Sequence, residues 1–64
     1  MRSMERKHAA SVVVGEVIDE LGPNLVLDED MSWDGGVMLT LLDLQTGEQR
    51  PTFFASFDEV DVIQ

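Results

Sequence analysis

Val37 to Phe57, VMLTLLDLQTGEQRPTFFASF, decides how the rest of the chain is read. It holds two strand-like apolar runs, Val37 to Leu44 and Gln49 to Phe57, around Gln45-Thr46-Gly47-Glu48. That tetrapeptide reads as a hairpin turn, with Gly47 suited to a left-handed backbone angle. The first run is apolar at nearly every position, which predicts cover on both faces. In the second run Pro51 cannot donate to a ladder, so it belongs at a sheet edge or at the start of the strand. Beyond it, Phe53, Ala55 and Phe57 share one face, while Phe54 points the other way with Thr52 and Ser56. Phe54 is therefore either a second core contact or an exposed anchor.

Upstream, Ser11 to Asp19 (SVVVGEVID) is rich in β-branched residues and predicts a first strand, with Gly15 marking a bulge or sharp bend. Glu20-Leu21-Gly22-Pro23-Asn24 combines Gly, Pro and Asn and predicts a turn. Leu25 to Asp28 reads as a short second strand running into an acidic loop, Asp28 to Gly36, that contains the only tryptophan. Downstream, Asp58-Glu59 predicts a tight turn before a last strand, Val60 to Ile63. Met1 to Ala10 has mixed charge and no apolar period, and reads as a flexible basic arm ahead of a single domain over residues 11–64. His8 has no second His or Cys to complete a site, so a solvated histidine is expected.

Five short strands with turns every eight to twelve residues predict an all-β fold, either a small five-stranded barrel or a strongly curled antiparallel sheet. The order, with a long early loop, a central hairpin and a short turn before the last strand, resembles the SH3-like small barrels over Val12 to Ile63. The resemblance implies that fold without implying an activity. SH3-like peptide binders present several exposed aromatics, often Tyr, and Tudor-type cages need three or four that converge. This chain has no Tyr, one Trp and three Phe.

Composition narrows the function further. A chain of 64 residues holds one small core. With no cysteine, disulfides and thiolate metal sites are excluded, and oligomerisation or a partner becomes a natural source of extra stability. No apolar run approaches the ~20 residues of a spanning helix, and no apolar h-region follows the basic N-terminal residues. A soluble, cytoplasmic protein without membrane contact is expected. The net charge is −9, and from Ala9 onward twelve acids face the single Arg50. Such a body repels phosphate, so direct nucleic-acid binding by it is not expected, while basic proteins are drawn to it.

Three constellations bear on chemistry. Asp30-Met31-Ser32-Trp33-Asp34-Gly35 matches the first half of a calcium loop, D-x-S-x-D-G, but the closing twelfth position is Leu41, so no metal is expected. Trp33, flanked by Asp28, Glu29, Asp30 and Asp34, is either a partner anchor or a cap folded over one end of the barrel. No nucleophile–base pair, phosphate loop or room for a substrate pocket is evident, so neither an enzyme nor a cofactor is expected. The leading expectation is a protein-interaction module that binds a basic partner through Asp28, Glu29, Asp30, Trp33 and Asp34, with Phe54 as a further contact. Two alternatives stand beside it: an inhibitor that mimics nucleic acid with spaced carboxylates, of the phage or plasmid accessory type, and a subunit of a larger assembly or homo-oligomer joined through an edge strand.

Overall fold

The computed structural model describes residues 3–64, and its chain is all-β, with six antiparallel strands in one sheet. The strands are β1 (Met4–His8), β2 (Val17–Asp19), β3 (Pro23–Met31), β4 (Val37–Asp43), β5 (Gln49–Phe54) and β6 (Glu59–Ile63), with a 3₁₀ turn at Ala9–Ser11. Their order across the sheet is β1-β6-β2-β3-β4-β5. Strands β2 to β5 form a meander of consecutive hairpins; β6 returns beside β2, and β1 lies outside β6. Among the described residues no pairing joins β1 to β5, so the sheet is open.

The core explains the shape. Val37, Leu39 and Leu41 alternate along β4 and are fully buried, and they belong to one apolar cluster with Ala9, Val12, Ile18, Val26, Phe54, Val60 and Val62. These residues come from five strands and the 3₁₀ region, with no second layer to cover them. Burial of this completeness requires the sheet to bend around its own inner face. The intervening residues of β4, Met38, Thr40 and Leu42, are half-buried, so the second face is covered only in part.

Four expectations need correction. The chain has six strands where five were expected, because Met4–His8, read as part of a flexible arm, pairs with β6 from Met4↔Ile63 to His8↔Glu59. Its basic side chains meet acids of the neighbouring elements. Arg6 Nε and Nη1 reach Glu59 Oε1 at 2.9 Å and Asp61 Oδ1 at 3.1 Å, and Lys7 Nζ reaches Glu16 Oε2 at 3.0 Å. Met1 and Arg2, the start of that arm, lie outside the described residues.

The first expected strand, Ser11 to Asp19, is paired strand only over Val17–Asp19. Ahead of it Gly15, at φ +98°, donates its N–H to Val26 O at 2.9 Å, while Val26 N–H donates to Glu16 O at 2.9 Å. Two residues thus oppose one, which is the glycine bulge that the sequence suggested, and it ends the pairing. The expected short strand Leu25 to Asp28 is instead the nine-residue β3, interrupted by an irregularity between Val26 and Asp28. The supposed acidic loop is therefore strand as far as Met31.

Phe54 is the fourth correction. It is 8% exposed and sits opposite Val37, whereas Phe53 and Phe57 are 54% and 77% exposed. It is a core residue. Pro51, by contrast, lies on an edge strand as its chemistry requires. Counted from the Asp43 N–H bond to Glu48 O at 2.8 Å, the ladder turns the hydrogen position of residue 51 away from β4, so proline costs no bond there. The other edge, β1, presents Glu5, Arg6, Lys7 and His8 in succession.

Leu39→Ala removes a fully buried side chain and is expected to cost about 2–5 kcal/mol, most of the stability available to so small a domain. Urea unfolding followed by far-UV circular dichroism checks this; an unchanged midpoint would show that Leu39 does not hold the core.

Candidate partner-binding site

The β3–β4 hairpin carries most of the residues singled out from the sequence. Its last registered pair is Met31↔Val37, and beyond it the chain turns through Trp33-Asp34-Gly35. Ser32 N–H donates to Gly36 O at 2.8 Å and Gly35 N–H to Ser32 O at 3.1 Å. Gly35 has φ +89°, the left-handed angle that closes a three-residue hairpin loop. Asp34 Oδ1 accepts the Gly36 N–H at 3.0 Å and the Ser32 hydroxyl. The Ser32 bond, followed by the Gly36 amide, favours the ionised carboxylate and lowers the Asp34 pKa below the usual aspartate range.

Trp33 stands at the corner of this closed turn and is 99% exposed. The reading in which it caps a barrel end is therefore set aside. An indole left in water on a turn built by other residues is available for contact.

Asp28, Glu29 and Asp30 precede it on β3. Asp30 is in register with Met38 and Phe53, and Asp28 with Thr40 and Pro51, so both aspartates lie on the outer face of the β3–β4–β5 ladder. Glu29, in register with Leu39 and Thr52, faces the other way and is half-buried. Most other acids of the body are engaged, with Glu20 and Glu48 making no side-chain bond among the described residues. Glu16, Asp19, Asp34, Asp43 and Asp58 accept backbone N–H groups of their own turns, and Glu59 and Asp61 hold Arg6. Among the described residues Asp28, Glu29 and Asp30 form no ion pair; the one side-chain bond here is local, Glu29 N–H to Asp28 Oδ1 at 3.0 Å.

Phe53 and Phe57 belong to the same end of the molecule. Val37↔Phe54 pairing brings the β5–β6 turn beside the β3–β4 turn, and a Cβ built on Gly35 would lie 3.6 Å from Ser56 Cβ. Phe53 points outward because the register of β5 against β4 puts Phe54 opposite Val37, which alternation alone does not supply. The expected strand Gln49 to Phe57 ends at Phe54, so Phe57 is exposed from the turn that follows.

The half calcium motif is divided between two jobs. Asp30 lies on the outer face of β3, Asp34 is bonded within its turn, and Leu41 is core. Among the described residues no three His, Asp or Glu side chains gather around one point, and no pocket is enclosed. His8 lies opposite Glu59 on the far edge of the sheet, away from the hairpin.

Because the Asp34 pKa is lowered by folding, the carboxylate stabilises the turn above the ordinary aspartate value of ~3.9, and this contribution is lost as pH falls through the lower folded value. An NMR titration of the Asp34 carboxyl is expected to give a value below ordinary aspartate and to rise in Ser32→Ala. No rise would mean that the hydroxyl bond is not made in solution.

Compared with known proteins, the chain matches no family model, no curated protein and no solved structure, so its function is to be read from its own residues.

Proposed function

We propose that this chain is a small interaction module, without catalytic activity, that docks a basic macromolecular partner through its β3–β4 hairpin. The observation that carries the reading is the position of Trp33, fully exposed at the tip of a turn held by Asp34, directly after three acids with no ion pair among the described residues. Aromatic anchors beside unneutralised charge are typical of interface hot spots, and carboxylates of this kind steer a cationic surface toward the anchor.

Placement of the acids supports this reading over mimicry of nucleic acid. A mimic needs its carboxylates free along one face, whereas five here are spent on turns distributed around the sheet. Assembly through an edge strand draws less support, with Pro51 on one edge and a charged run on the other. Among the described residues no helix is long and apolar enough to cross a membrane. A cytoplasmic location is part of the proposal. In the same reading β2 to β6 are a partly open SH3-like small barrel, unpaired between β5 and β6, to which β1 is added outside β6.

Trp33→Ala and Asp28→Asn/Asp30→Asn are each expected to weaken capture of the native partner about tenfold while leaving the circular dichroism unchanged. The check is affinity purification from the native host with quantitative mass spectrometry, run in parallel on wild type and variants. A partner retained equally by all three proteins would refute the hairpin as the contact.

A further inference from the structure

We infer that the partner is gripped by its arginine side chains, which stack on an aromatic end face formed by Trp33, Phe53 and Phe57. This rests on the interaction-module reading and extends its surface to a second turn. Three of the chain's four aromatic residues are exposed, and all three lie on the two adjoining turns at one end of the sheet. A domain with so little apolar material gains stability from each buried ring, so leaving three in water is a stability cost that a binding surface accounts for.

The backbone beneath each ring is fixed, and the Phe53 ring itself is packed. A Cβ on Gly36 would stand 2.5 Å from Phe53 Cζ and 3.1 Å from Cε2, so the Phe53 ring lies against the Gly36 backbone. Gly36 is buried beneath it, and the ring keeps an open side. Phe57 sits in a turn closed twice, by Asp58 N–H to Ala55 O at 3.0 Å and by Ala55 N–H to Asp58 Oδ2 at 2.9 Å. Trp33 rides on the turn that Asp34 closes. Surfaces prepared in this way lose little conformational freedom on binding.

Charge selects the occupant. Asp30 shares its cross-strand row with Phe53, and Asp28 the next row, so carboxylates flank the aromatic face. Among the described residues the chain's own cations do not occupy it: Arg6 and Lys7 are paired along β1, and Arg50, opposite Leu41, is on the other face of β5 from Phe53. A guanidinium lies flat on an aromatic ring while its N–H fork reaches a carboxylate, and the strongly hydrated lysine ammonium does this less well. A second copy of the chain would bring a like net charge of −9 to the same face, and is disfavoured.

Trp33 is the only tryptophan, so its emission reports on the site directly. The full chain is titrated with nona-arginine and with nona-lysine at about 150 mM salt, where long-range attraction is largely screened. Nona-arginine is expected to bind about fivefold tighter than nona-lysine and to shift the emission to the blue. Phe57→Ala should remove that preference with an unchanged circular dichroism spectrum, and Asp28→Asn/Asp30→Asn should weaken both peptides. Equal affinity for the two peptides, or a preference that survives Phe57→Ala, overturns the arginine inference, even where the double variant still upholds the basic-partner reading. Binding of neither peptide overturns both. An emission shift that follows protein concentration without peptide assigns the face to a second copy and overturns the inference as well.

Discussion

Every connection between strands in this molecule is closed by a carboxylate that accepts a backbone N–H. Glu16 takes Val13, Asp19 takes Gly22, Asp34 takes Gly36, Asp43 takes Gln45 and Thr46, and Asp58 takes Ala55. A small open sheet has many turns for its length, and each turn leaves amide hydrogens without ladder partners. Acidic side chains solve this locally, since an ionised oxygen is a strong acceptor that stays in water on its other side. Much of the chain's acidity is thus a condition of its fold. Glu16 shows the coupling most clearly: the Val13 amide, and after it Lys7, lower its pKa, and the same carboxylate ties β1 to the bulged turn.

That assignment changes what the remaining charge means. Once turn acids and the partners of Arg6 are set apart, Asp28 to Asp30 stands out as a consecutive acidic run that forms no ion pair among the described residues and makes one local bond, from Glu29 N–H to Asp28. It lies on a strand, with its side chains alternating between faces, and the strand leads straight to Trp33. A run on a loop would be free to collapse or to wrap an ion. On a ladder, Asp28 and Asp30 are held at the two-residue spacing of a strand beside Thr40 and Met38.

The all-β class was legible from the β-branched runs and their punctuation, as were the central hairpin, the bulge at Gly15 and the edge position of Pro51, because each rests on a residue whose backbone chemistry is local. Strand β1 was not. It pairs through its backbone with β6 and carries mostly charged side chains with no apolar alternation, a pattern that looks like a solvated arm until Glu59, Asp61 and Glu16 are known to lie beside it. The length of β3 was hidden for a related reason: acids on the open face of a strand read as loop. Phe54 was left between core and contact because alternation defines two faces, and only the pairing Val37↔Phe54 says which of them is inside. For the site, the acids and Trp33 were found by composition, while Phe53 needed the register and Phe57 the turn that ends β5.

The two unpaired edges have a consequence for behaviour at high concentration. An open sheet is in principle a template that grows by adding strands from other molecules. Here one border carries a proline whose missing hydrogen interrupts the outward ladder, and the other is a strand of charged residues held by ion pairs to its own sheet. Both are features that disfavour the addition of a further strand.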